Sequence, residues 1–169
     1  MNILGAALIL LGSLAAAGRL IGEQRKRLCA LRAVSAALER LRAELSLRAA
    51  GLPELTELLA ESSDGAAGRF FSALRETLPR LGEHSFSELW AGCVSHALPE
   101  LSDEERAALR RLGETLGRYE LSEQLTALER CRGILTENAD ALAAALPEKR
   151  RLAFGLLGAA GALLCICLL

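Results

Sequence analysis

Residues 31–45 read Leu-Arg-Ala-Val-Ser-Ala-Ala-Leu-Glu-Arg-Leu-Arg-Ala-Glu-Leu. Leu31, Val34, Leu38, Leu41 and Leu45 fall at alternating steps of three and four, which places them in a narrow heptad seam along one side of a helix. No proline or glycine interrupts residues 23–50, so the helix is expected to run unbroken until Gly51 and Pro53 end it. A seam this narrow needs a partner helix.

The partner is expected from about Glu120 to Leu146, where Leu121, Leu125, Leu128, Leu135, Leu142 and Leu146 recur near one face and Pro147 marks a break or kink. Between the two, turn residues and apolar spacing predict a short helix from Pro53 to about Glu61. They also predict a loop at residues 62–65 and a helix from around Arg69 to Leu81, closed by Gly82. Ser85 with Glu88 and Ser102 with Glu105 have the spacing of capping boxes and start two more helices. Phe86, Trp90, Val94 and Ala97 recur every three or four residues and read as core.

The two ends of the chain differ in kind from this middle. Leu152 to Leu169 carries no charge, reaches about 27 Å as a helix, and follows Lys149, Arg150 and Arg151. Ile3 to Gly18 is likewise apolar, with Arg25, Lys26 and Arg27 beyond it. Both basic flanks lie on the side of the central segment, so the positive-inside rule expects the middle in the cytoplasm and both termini across the membrane. Ala15-Ala16-Ala17 resembles a signal-peptidase site, but cations follow the apolar run rather than precede it, which favours an uncleaved anchor. Gly12 with Ala16, Gly155 with Ala159 and Gly158 with Ala162 offer the small-residue spacing of helices that pair in lipid.

The expected architecture is therefore all-α: a membrane-anchored helical bundle with two long antiparallel stalk helices and two terminal transmembrane helices. Residues 1–22 form the first span with its amino end outside, residues 23–148 the cytoplasmic bundle, and residues 149–169 the basic flank and second span. Two helices of about 27 residues would extend about 40 Å from one membrane face, with the shorter helices covering the far end of the stalk.

Charge is distributed along this plan. Residues 19–48 hold eight basic and three acidic groups, whereas residues 49–105 hold three basic and eleven acidic, which sets the cations beside lipid and argues against nucleic acid as a partner. A distal acidic surface could receive a basic partner.

No Walker loop, nucleophile elbow, zinc-protease helix or dinucleotide fingerprint occurs, so no catalytic, cofactor-binding or metal-binding residue is assigned and no small-molecule substrate is expected. His84 and His96 flank one helix and read as surface residues, while Cys29, Cys93 and Cys131 form no Cys-x-x-Cys pair. Cys165 and Cys167 lie within the last apolar run. Glu114 alone stands in an unusual setting, between Gly113 and Gly117, which suggests close backbone approach or a helix end.

The motif around it, Gly113, Glu114, Thr115, Leu116, Gly117 and Arg118, followed by Gln124, resembles the stage III sporulation protein AB family of spore-forming bacteria. Residues 4–12 (Leu-Gly-Ala-Ala-Leu-Ile-Leu-Leu-Gly), the Arg-Leu-rich first helix and residues 154–158 (Phe-Gly-Leu-Leu-Gly) stand where that family has them. The chain departs from the pattern at Tyr119-Glu120, where the family continues into an acidic residue, often aspartate. Residues 51–124 also resemble, less closely, the cytoplasmic helical domains of the type II secretion inner-membrane platform protein.

The resemblance implies a non-enzymatic membrane subunit of the secretion-like complex that links mother cell and forespore. It would be embedded in the membrane surrounding the forespore, with its bundle in the mother-cell cytoplasm. It further implies contact with membrane lipid, with the motor ATPase stage III sporulation protein AA, and with other membrane subunits of the same complex. The motif would then be a structural corner or a docking point. The alternative expectation is a membrane-anchored helical adaptor or sensor unrelated to sporulation.

Overall fold

The computed structural model of the chain describes the backbone of residues 3–47 and 51–168, and the side chains of residues 18, 19, 22–47 and 51–147. The described residues form six α-helices: α1 (Ile3–Leu47), α2 (Leu52–Ser62), α3 (Gly65–Thr77), α4 (Phe86–Ala97), α5 (Asp103–Thr115) and α6 (Leu121–Leu168), with a 3-10 turn at Leu78–Arg80. The chain divides into two compact units. Residues 27–139 make one; the terminal segments, residues 1–26 and 140–169, make the other.

Among the described residues no helix is long and apolar enough to cross a membrane. Of the two terminal segments expected to span, the side chains of residues 3–17 and 152–169 lie outside those described.

Within residues 27–139 the heptad seam behaves as its spacing predicts. Leu31, Val34, Leu38, Leu41 and Leu45 are buried, joined by Ala30 and Ala37 on a neighbouring row. Beside the seam α1 meets α6 through three polar contacts: Ser35 Oγ with Thr136 Oγ1 at 3.0 Å, Glu39 with Arg132 at 3.1 Å, and Arg42 with Glu129 at 3.4 Å. As numbering rises along α1 it falls equally along α6, which makes the pair antiparallel. These exposed ion pairs set register and add little stability.

On α6 the buried face is Leu128, Cys131, Leu135 and Ala139 rather than the full leucine series; Leu121 is exposed, and Leu125, Leu142 and Leu146 are half-buried. Pro147 does not end the helix, which continues through it to Leu168. Proline removes a single amide donor, and the turns on either side keep their own hydrogen bonds.

The third helix begins at Gly65, four residues ahead of the Arg69 start expected from sequence, because Ala66 and Ala67 are already core; Asp64 stands at the N-cap position with extended backbone and makes no side-chain cap bond. It ends at Thr77, where Leu78, Pro79 and Arg80 tighten into the 3-10 turn. Both capping boxes form, with Glu88 and Glu105 accepting from the amides of Ser85 and Ser102 at 2.9 and 2.7 Å.

Helix α5 does not cap the far end of the stalk, as the short helices were expected to. The first turn of α5 meets Arg27 and Asn138, whereas its last residues lead to Gly117, beside Leu52 at the opposite end of α1. Thus α5 lies along the stalk. Trp90 fills the centre of the packing between α3, α4 and α5: its ring meets Phe70 edge-on at a 4.8 Å centroid distance, and its indole N–H donates to the Leu109 carbonyl at 2.7 Å.

Candidate functional site

Helix α5 has a polar tie at each end. At its start Glu105 is fully buried, although the capping-box signature predicts only a helix-end acid. Its carboxylate accepts from Arg27 Nε at 3.2 Å and from Arg27 Nη2, from Asn138 Nδ2 at 3.2 Å, and from the Ser102 amide. Burial opposes ionisation of this carboxyl, but the Arg27 bonds, the Ser102 amide and the Arg27 charge outweigh it and hold the group below the usual carboxylate range.

One buried anion therefore joins α1, α5 and α6. Sequence reading assigns Arg27 to the basic flank; the structure turns it inward, leaving Arg25 and Lys26 exposed. The available signal was a capping-box glutamate with arginine and asparagine elsewhere in the chain, and no local spacing links the three.

At the other end of α5 the motif residues separate into two groups. Gly113, Leu116, Gly117 and Gln124 build a corner. A methyl group on Gly113 would lie 2.3 Å from Trp90 Cδ1, so the α4–α5 approach requires glycine there. Leu116 is buried, and its amide donates to the Leu112 carbonyl at 3.1 Å to finish the helix.

Gly117 then turns the chain at φ +72°, with Leu52 Cδ1 2.7 Å from where a Cβ would stand. Gln124, in the first turn of α6, accepts from the Gly117 amide at 3.1 Å through Oε1 and donates to the Tyr119 carbonyl at 2.7 Å through Nε2. The glutamine thus supplies a donor and an acceptor to a turn that has no secondary-structure ladder of its own.

Glu114 and Arg118 face outward, and Thr115 is half-buried with its hydroxyl directed to the Arg111 carbonyl at 3.4 Å. Arg118 lies 5.9 Å over the ring of Tyr119, itself exposed. Together with Glu123 these residues line a shallow depression of about 310 Å³. Tyr119 and Glu120 occupy the position of the family's acidic residue; the Tyr119 carbonyl is what Gln124 holds, and Glu120 is exposed and accepts the amides of Glu123 and Gln124 through its main chain.

His84 and His96 are both exposed and line one groove of about 390 Å³ between α3 and α4, with Leu89 and Cys93 beneath them. His84 Nε2 meets Arg80 at 3.0 Å and Nδ1 lies 3.8 Å from Glu88. Among the described residues no group of histidine, cysteine, aspartate and glutamate is placed to hold a metal ion. Burial pushes the Cys131 thiol up to about 12 and raises that of Cys93, so both stay protonated at neutral pH.

This arrangement of two glycines and a glutamine around one helix end spans the motif whose residues resemble a sporulation family, and the wider chain agrees. Residues 2–169 match the stage III sporulation protein AB family. The chain belongs to that family. No curated protein and no solved structure matches it. The stage III sporulation protein AB match takes in both apolar ends as well as the corner, so the terminal segments belong to the family pattern and not to an unrelated extension.

Proposed function

We propose that this chain is a non-enzymatic membrane subunit of the secretion-like complex joining mother cell and forespore. Two terminal helices anchor it in the membrane around the forespore, and its bundle serves in the mother-cell cytoplasm as a scaffold and docking platform for the motor ATPase, stage III sporulation protein AA. The observation that carries this reading is the family match over residues 2–169, which covers both apolar ends and the bundle together. Supporting it are the uncharged run Leu152–Leu169 after Lys149, Arg150 and Arg151, and the apolar run Ile3–Gly18 before Arg25 and Lys26.

The bundle supports a scaffold role through its construction. Within residues 27–139 α5 is tied to α1 and α6 at its start through Glu105, and the turn after it is tied to α6 through Gln124, so these helices pack as one body.

Topology is tested with a reporter cysteine at exposed Glu83, with Cys29, Cys165 and Cys167 replaced by serine; Cys93 and Cys131 are buried. In vegetative cells of a spore-forming host, a membrane-impermeant maleimide is expected to label Glu83→Cys only after lysis. Labelling of intact cells would put the bundle outside and end the case for a cytoplasmic motor as its direct partner.

A further inference from the structure

The outward face of the α1–α6 pair carries opposite charge on its two helices. On α1, Arg32, Ala36, Arg40, Ala43 and Leu47 recur every three or four residues on the side turned away from the buried seam, and all are exposed. Between Arg27 and Leu47, Arg32 and Arg40 are the exposed charged side chains; Glu39 and Arg42 are half-buried and tied to α6, and Glu44 is half-buried. On α6, Thr126, Arg130, Gly133 and Glu137 lie opposite the buried row Leu128, Cys131, Leu135 and Ala139. Between Leu121 and Ala139 the exposed charges are Glu123, Glu129 and Glu137 against Arg130. A basic helix thus runs beside an acidic one.

Two features of this face serve nothing within the bundle. A Cβ on Gly133 would meet nothing within 4 Å, so the fold itself does not require a residue that weakens a helix interior. Leu47 is 80% exposed, while a depression of about 470 Å³ lined by Arg42, Leu125, Thr126, Glu129 and Arg130 opens on the same side of the pair. The antiparallel register of Ser35 with Thr136, Glu39 with Arg132 and Arg42 with Glu129 sets Arg32 level with Ala139, Ala36 with Leu135 and Leu47 with Gln124. Side chains lean toward the amino end of their helix, which carries Leu47 toward the level of Leu125 and Thr126.

We infer that this face pairs with the same face of a second copy about a two-fold axis parallel to the helices. That rotation lays α1 of each copy over α6 of the other and preserves the levels. Arg32 then comes within one helical turn of Glu137 of the second copy, and Leu47 meets the depression beside Leu125 and Thr126 of the second copy. Ala36 and Gly133 let the backbones approach. Arg40 and Arg130 come to nearly one level at the outer edges with like charge, but Arg40 is turned aside to the Ser62 carbonyl at 2.7 Å.

The side-by-side charges decide among occupants. An anionic lipid surface or a nucleic acid is attracted by α1 and repelled by α6. A uniformly basic or acidic protein surface likewise meets one repelling helix. The second copy, turned about the two-fold, presents the two signs in reverse order and sets basic against acidic on both halves. The same rotation keeps both α1 helices pointing one way, as copies anchored in one membrane must; that point alone rests on the anchoring read above.

The test uses two differently tagged full-length chains, both with Cys29, Cys165 and Cys167 replaced by serine, one carrying Ala36→Cys and the other Gly133→Cys. They are co-expressed, and isolated membranes are oxidised with copper phenanthroline. A disulfide joining the two tags is expected, and none within either chain type expressed alone, because the bond needs α-carbons within about 7 Å and the two-fold brings position 36 to 133 rather than to itself. Arg32→Glu or Glu137→Arg, placed in both chains, is expected to lower the yield about fivefold, and the two together to restore it. Leu47→Ser is expected to lower it by about the same factor. Far-ultraviolet circular dichroism checks that each variant is folded.

Absence of the joined tags overturns the pairing, as does a disulfide between two Ala36→Cys chains or a yield that neither charge reversal changes. If fractionation finds the chain outside the membrane, the anchoring reading fails, and the same oxidation of the soluble chain decides the face.

Discussion

Trp90 lies so close to the α-carbon of Gly113 that a single methyl group on the glycine would stand 2.3 Å from the indole. The same indole donates to the Leu109 carbonyl, which in a regular helix also receives the Gly113 amide. The contact and the hydrogen bond therefore support one another, and the ring has no free direction in which to retreat.

Gly113→Ala is accordingly expected to destabilise the bundle by about 2 kcal/mol, because overpacking a fixed ring exceeds the roughly 1 kcal/mol of helix propensity that alanine brings. Trp90 is the chain's one tryptophan, so denaturant unfolding followed by its fluorescence reads the change at the site itself. An unchanged midpoint would show that the α4–α5 approach does not need the glycine.

Gly117 is constrained by its backbone instead. At φ +72° alanine is expected to cost about 1 to 2 kcal/mol and asparagine less, since asparagine tolerates the left-handed region. Gly117→Leu adds bulk toward Leu52 and is expected to disrupt the bundle or its assembly. Thermal melts of the three variants should rank asparagine, alanine and leucine in falling order; full folding and full sporulation by the leucine variant would remove the corner's importance.

Acid should loosen the tie at the other end of α5. The Glu105 carboxyl is held below its ordinary range in the folded chain, so its contribution is complete above the unfolded value, about 4.3, and is lost as pH falls through the folded value. Arg27→Met leaves the buried carboxylate without its countercharge and is expected to cost about 2 to 3 kcal/mol at neutral pH, with a flatter loss of stability on acidification than wild type. Equilibrium unfolding at several pH values between 3 and 7 checks both, and parallel curves for the two proteins would rule out the pair as the source of acid sensitivity.

Gly92 offers the opposite outcome. It stands inside α4, where a Cβ would meet nothing within 4 Å. Gly92→Ala is expected to stabilise the bundle by about 0.5 to 1 kcal/mol through helix propensity and the smaller entropy of the unfolded chain. A rise in melting temperature confirms it; a fall would reveal a backbone requirement that the static packing does not show.

Sequence alone determined the elements whose causes are local. The α1 seam from Leu31 to Leu45 was legible because helical periodicity follows from spacing along one chain, and the capping boxes at Ser85 and Ser102 because both partners lie within one turn. The glycine pair around Glu114 was legible as a place of close approach or helix ending, and Gly113 and Gly117 turn out to do one each.

What the tertiary structure decided are the relations between distant residues. Arg27 looked like part of a membrane flank because its neighbours are basic; only folding brings Glu105 and Asn138 to it. The continuation of α6 through Pro147 was likewise not readable from the proline, whose local effect is one lost donor while the helix on each side persists. Exposure of Leu121 within an otherwise regular leucine series had no signal at all, because burial depends on where the partner helix ends. Local periodicity specifies which face of a helix is apolar, and only packing specifies how far along that face a neighbour reaches.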